Sequence, residues 1–150
     1  MKRIGYLHEQ VYDIENIEIA DDKARKNKSI RWGIVKHDRN RQNENERLSE
    51  QLRDLVYETS EYSTFKVYEP KERLIFRLPY YPDRITHHAI MNVMEPIWTK
   101  IFIKQTYYCI KNRGIHNVAH DLKTALIEHP EETIYCLKMD VRKFYPSVNH

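Results

Sequence analysis

Tyr135-Cys136-Leu137-Lys138-Met139-Asp140-Val141-Arg142-Lys143-Phe144-Tyr145-Pro146 runs an apolar segment directly into a carboxylate and then a pair of aromatics. Thr133 to Met139 reads as a strand. Asp140 is then expected at its C-terminal end, where the side chain faces a cleft while the sheet holds the backbone. That placement suits a ligand for a divalent metal. Taken alone, an Asp after a strand is more often a cap or turn residue.

Working back from this stretch, the pattern predicts helix and strand in irregular order. Ile17, Ala20 and Ala24 share a face within a helix over Ile14 to Lys28, and Leu48, Leu52, Leu55 and Val56 mark a second over Gln42 to Tyr57. Between them, Ser29 to Arg41 lacks periodicity and reads as an exposed connection. Alternation then takes over. Phe65, Val67 and Tyr68 precede Glu69-Pro70-Lys71-Glu72, and Leu74 to Leu78 follows, so a hairpin is expected whose loop presents Lys71 and Arg73. Ile85 to Lys104 carries two adjacent apolar rows and predicts a deeply buried helix, kinked or broken near Glu95 by Pro96. Tyr107 to Gly114 is irregular, and Ile115 to Ile127 predicts another helix through Val118, Leu122 and Leu126. The fold class expected is α+β.

At 150 residues, with 41% hydrophobic content and 3 glycines, the chain has enough apolar material for a core. A net charge of +3 and a pI near 8.8 are compatible with a nucleic-acid partner without identifying one. Distribution says more. Glu9 to Asp22 holds six acidic residues and no basic one, whereas Lys23 to Arg41 holds eight Lys or Arg and a single acid, Asp38. The basic block is either a phosphate-facing surface, with Trp32 in it, or a solvated helix supported by Asp21/Arg25 and Asp22/Lys26 pairs. Two distant cysteines, Cys109 and Cys136, indicate neither a disulfide framework nor a C-x-x-C zinc site. His87 and His88 are adjacent and do not share a helical face, which argues against a histidine metal site. With no apolar run near the roughly 20 residues of a membrane span and no signal-like start, a soluble cytoplasmic protein without membrane contact is expected.

Several blocks together give the chain a likeness. Lys71-Glu72-Arg73 is followed by Pro79, and Asp83-Arg84-Ile85-Thr86-His87-His88-Ala89-Ile90 runs on to Glu95-Pro96-Ile97. Thr106-Tyr107-Tyr108-Cys109 precedes Lys111-Asn112-Arg113-Gly114-Ile115-His116, and Lys138 to His150 closes the series. In order and spacing the chain resembles bacterial-type reverse transcriptases, including those of group II introns and diversity-generating retroelements. The resemblance covers about residues 60 to 150 and, more weakly, the N-terminal helices with Asn16 and Ala20. It implies part of a right-hand polymerase: a helical extension over 1–58, fingers over 59–133, and the start of a palm over 134–150.

On that resemblance Asp140 is the first catalytic aspartate and binds metal, with the Val141 backbone carbonyl adding an oxygen. Two Mg²⁺ ions serve the complete enzyme; Mg²⁺ takes hard oxygens and keeps several waters. Tyr145 falls under the sugar of the incoming nucleotide, where a ring excludes a 2′-hydroxyl; its plainer role is packing. Arg73, and with it Lys71, matches the fingers cations that hold the triphosphate, Arg bidentately and Lys as a point charge. Arg84, Lys111 and Arg113 are candidates for nucleic-acid contact, and Asp83 for capping the long helix. Ile110 departs from the family, which commonly places an Arg there. The partners implied are an RNA template, a DNA or RNA primer and a dNTP. The family's second acidic motif does not occur in these residues, so residues 1–150 are expected to be an inactive fragment that self-associates through uncovered apolar surface. A non-catalytic nucleic-acid-binding module or a structural remnant are the rival readings.

Overall fold

The computed structural model describes residues 3–142 and 144–149 and divides into two compact units, Met1–Ile101 and Phe102–His150. The first unit is mixed α and β. Helices α1 (Leu7–Tyr12), α2 (Ile14–Arg25), α3 (Trp32–Asp38) and α4 (Arg41–Arg53) precede an antiparallel hairpin of β1 (Ser63–Tyr68) and β2 (Glu72–Arg77). A tight turn over Tyr80–Arg84 leads into α5 (Ile85–Ile101). The second unit holds α6 (Ile115–Glu128) and a single helical turn, α7 (Phe144–Ser147).

The core lies among α2, α3, α4 and the start of α5. The Asp13 carboxylate caps α2 by accepting from the Glu15 N–H at 2.8 Å, and Lys23 and Arg25 stand in its last turn, where cations oppose the helix dipole. Its inward face, Ile17, Ala20, Asp21 and Ala24, packs against α5, where Ile85 and Ala89 are fully buried. A run of side-chain amides stitches the two helices. The Asn16 amide donates to the carbonyls of Val11 and Ala89, both at 3.1 Å, Asn92 donates to Asn16, and Lys23 donates to Asn92. Leu48 and Leu52 of α4 close the core, and α1 is held to α4 by His8 on the Leu52 carbonyl and by Ser49 donating to the carbonyl of Tyr12.

Several expectations are corrected. Ser29 to Arg41 is not an exposed connection: α3 turns Ile34 and His37 inward, three residues apart on one face, and both are buried. Gly33 makes this possible, because a Cβ there would stand 3.2 Å from the Cβ of Tyr80. Both N-terminal helices stop short of their expected ends where the backbone turns left-handed, α2 before Asn27 (φ 61°) and α4 before Leu55 (φ 57°). Leu55 and Val56 are exposed as a result. Of the kink or break expected at Pro96, the break does not occur: α5 is one helix from Ile85 to Ile101. Pro96 lies on the exposed side, where water can replace the partner that the missing N–H would have supplied. Nor is α5 deeply buried along its length: Ile85, Thr86 and Ala89 are enclosed, but Ile90, Met91, Trp98 and Ile101 are exposed.

The strand expected over Thr133 to Met139 does not form, and residues 135–140 are irregular. A strand needs a neighbour to complete its backbone bonds, and among the described residues the only sheet is the hairpin. Ile134, Tyr135, Leu137 and Met139 are exposed. Helix α6 matches its expected span, though its apolar face is uncovered: Ile115, Leu122 and Leu126 are all exposed. No helix among the described residues is long and apolar enough to cross a membrane.

Burial therefore separates two leucines that look alike in sequence. Leu48→Ala is expected to cost about 2–5 kcal/mol of stability, and Leu122→Ala no more than about 0.5 kcal/mol; denaturant unfolding of the two variants checks the contrast.

Candidate functional site

The most heavily bonded polar group of the first unit is Asp21, which is fully buried on the apolar face of α2. The Tyr80 hydroxyl donates to its carboxylate, Arg25 donates to both oxygens at 2.8–2.9 Å, and Arg41 reaches it from the start of α4. Each arginine also holds an outer carboxylate at 2.6 Å, Asp38 for Arg25 and Asp22 for Arg41. Behind them sits buried His37. Its Nε2 faces Asn45 Oδ1 at 3.2 Å and its Nδ1 faces Arg25 Nη2 at 3.4 Å, an arrangement that the neutral Nε2–H tautomer satisfies on both sides. The imidazole also stacks on Tyr81, with ring centroids 5.3 Å apart.

Electrostatics follow from this geometry. Burial pushes the Asp21 carboxyl upward, but hydrogen bonds from Tyr80, Arg25 and Arg41 outweigh it and hold the group below the ordinary carboxylate value. Burial depresses His37, more than the nearby Asp21 and Glu44 carboxylates raise it. The sequence pair Asp21/Arg25 thus belongs to an internal cluster and not to a solvated helix face. One signal for this was available: Asp21 occupies the same helical face as Ile17, Ala20 and Ala24.

A second buried carboxylate, Asp83, accepts from the Tyr57 hydroxyl at 2.9 Å and the Ser60 N–H at 3.0 Å. It pins the segment entering the hairpin to the start of α5. Its other oxygen has no partner among the described residues.

Of the candidate site residues, Lys71 lies in the exposed hairpin loop and Arg73 on β2, opposite Val67 and also exposed. Among the described residues neither forms an ion pair, whereas the neighbouring Lys66 and Glu72 pair at 2.7 Å. Arg84 is half-buried and lines a cleft with Lys28, Arg31, Trp32 and Arg77. The sequence marks Trp32 only as part of the basic block; the cleft it shares with Arg77 and Arg84 is not marked there. The remaining candidates belong to the second unit. Arg113 donates to the carbonyls of Ile103 and Thr106 at 3.3 and 3.5 Å, bracing the irregular segment before α6, and its backbone N–H bonds the Ile110 carbonyl at 3.1 Å. Lys111 is exposed beside it. Asp140 and Val141 are exposed in irregular chain. Tyr145 falls within α7, and its side chain lies outside the described residues. Among the described residues, no three His, Cys, Asp or Glu side chains come together as a metal site. No protein-family model matches the chain, and no curated protein matches it.

Both Asp21 and His37 bind a proton more weakly folded than unfolded, so acid favours the unfolded chain. Stability is expected to be full above pH 6.5, the free imidazole value, to fall as pH drops below it, and to fall again below pH 3.8, the free carboxyl value. Denaturant midpoints measured across this range check the two steps; His37→Gln should shrink the first, with the remainder due to His88, which burial and then the nearby Lys23 and Lys28 also depress. At pH 7, Asp21→Ala is expected to cost about 3–5 kcal/mol and Tyr80→Phe about 1.5–3 kcal/mol.

Proposed function

We propose that this chain is the fingers and first palm segment of an RNA-directed DNA polymerase. The observation that carries the reading is the order of its blocks: Lys71 to Arg73, Asp83 to Ile97, Thr106 to His116, then Lys138 to His150. Two local features support it. The hairpin holds Lys71 and Arg73 at and beside its loop, exposed and, among the described residues, in no ion pair. Asp140 and the Val141 carbonyl are consecutive hard-oxygen donors in accessible chain, the donor chemistry Mg²⁺ takes.

In this reading Arg73 grips the nucleotide triphosphate bidentately and Lys71 adds a point charge. Asp140 and Val141 supply part of the metal site, with further carboxylate needed to complete it. Two Mg²⁺ ions, when bound, contribute positive charge to the attacking and leaving oxygens of nucleotidyl transfer. Tyr145 sits beneath the sugar and disfavours a 2′-hydroxyl. Arg84, Lys111 and Arg113 face the template or primer backbone.

One carboxylate does not complete a two-metal site, so purified residues 1–150 are expected to incorporate no dNTP on a primed RNA template. The coding sequence past His150 is expected to encode an aromatic-x-Asp-Asp motif, and the protein carrying it to extend a primer in Mg²⁺. In that protein Asp140→Asn should lower incorporation by roughly 100-fold or more. Extension that survives Asp140→Asn, or an open reading frame without the second acidic motif, removes the basis of the reading.

A further inference from the structure

A cleft of about 580 Å³ lies between the turn joining α2 to α3 and the open end of the hairpin. Lys28 and Arg31 line one wall, Arg77 and Arg84 the other, and Glu61 is the one acid among the lining residues. Among the described residues none of these four cations is in an ion pair, whereas Arg25 and Arg41 of the same basic segment are. Arg25 and Arg41 are taken up by Asp21, Asp22 and Asp38, which leaves Lys28 and Arg31 as the part of the basic segment turned to this cleft. The positive field is felt beyond the cleft: after burial, Lys23, Lys28, His87 and Arg84 all add to the depression of His88.

At the rim stands Trp32, 78% exposed. A tryptophan that large is seldom left in water. Lys36 Nζ lies 5.5 Å from the centre of its ring. Cations lining the cleft, with an exposed indole among them that Lys36 approaches on one face, match a ligand that repeats phosphate and flat ring. That is the way proteins hold single strands, by backbone charge and base stacking. A duplex keeps its base faces covered and cannot use the indole, and a nucleoside monophosphate offers one phosphate to four cations.

We propose that this cleft binds a single-stranded nucleic acid, one base stacked on Trp32 and the flanking phosphates held by Lys28, Arg31, Arg77 and Arg84. Arg84 is shared with the polymerase reading, but binding here needs neither Asp140 nor a metal, so the two fail separately.

The test uses the 150-residue chain carrying Trp98→Phe, which leaves Trp32 as its sole tryptophan. Titration with a mixed-sequence single strand of roughly 12 nucleotides is expected to quench Trp32 emission. Binding should weaken with salt at a log–log slope of about −0.7 per phosphate held, or roughly −2 to −3 in all. Read by polarisation of a labelled strand, Trp32→Ala should weaken binding roughly tenfold, and the pair Arg31→Gln with Arg77→Gln should both weaken it and flatten the slope. Arg53→Gln, exposed on α4, is the control for loss of a cation outside the cleft and should change neither. Trp32, Arg31 and Arg77 are all exposed, so their variants are expected to fold, with circular dichroism as the check. The proposal is overturned if Trp32 is not quenched, if the matching duplex or AMP alone binds as tightly, or if Arg53→Gln has the effect of the paired variant.

Discussion

Of two carboxylates without access to water, Asp21 sets the terms for the first unit. Left alone, an ionised group at that depth would be strongly unfavourable. It is tolerated because groups from three other parts of the chain converge on it: Arg25 one turn along α2, Arg41 at the start of α4, and the Tyr80 hydroxyl from the turn before α5. His37 and Asn45 fill the space behind, linked to each other and to Arg25. The cluster therefore fixes the mutual placement of α2, α3, α4 and the Tyr80–Arg84 turn more tightly than the apolar contacts could. Ala20, Ala24, Ile34 and Leu48 are interchangeable in kind with other apolar residues; a buried charge with three donors is not.

That constraint also sorts the basic segment. Eight cations between Lys23 and Arg41 look equivalent in composition. Folding makes them unequal: Arg25 and Arg41 neutralise internal and nearby carboxylates, Lys23 bonds Asn92, and Lys36 stands by Trp32. Lys28 and Arg31 line the cleft, whereas Lys26 and Arg39 are exposed outside its lining. Since Tyr80 both binds Asp21 and lines the same cleft, the cluster holds its floor in place while leaving its walls charged.

Local pattern carried much of this fold. The hairpin was legible from alternation around Pro70, down to the exposure of Lys71 and Arg73, and the inward face of α2 from the spacing of Ile17, Ala20 and Ala24. Helix α6 was legible too. What escaped depended on distant partners. A seven-residue helix such as α3 offers only two inward positions, Ile34 and His37, too few to register as periodic. Asp21 and Arg25 at i,i+4 read the same whether the pair is solvated or buried; the place of Asp21 on the Ile17, Ala20 and Ala24 face is the one local sign, and the enclosing partners, Arg41 and Tyr80, stand 20 and 59 residues away. The cleft draws its cations from the α2–α3 turn, the end of β2 and the start of α5, so no single stretch of sequence displays it.

The expected strand before Asp140 failed for a related reason, and its failure bears on the carboxylate itself. An apolar run such as Ile134 to Met139 gains burial and backbone bonds only from a neighbouring strand, whereas a helix satisfies its backbone within itself; this is why α6 forms with its apolar face uncovered and residues 135–140 stay irregular. A metal-binding carboxylate is effective when its backbone is held to a fraction of an ångström. On the polymerase reading, then, burial of Tyr135, Leu137 and Met139 and organisation of Asp140 are one event. Whatever supplies the missing strand neighbour also turns an exposed aspartate into a fixed ligand, so metal affinity at Asp140 and protection of the run before it should rise together.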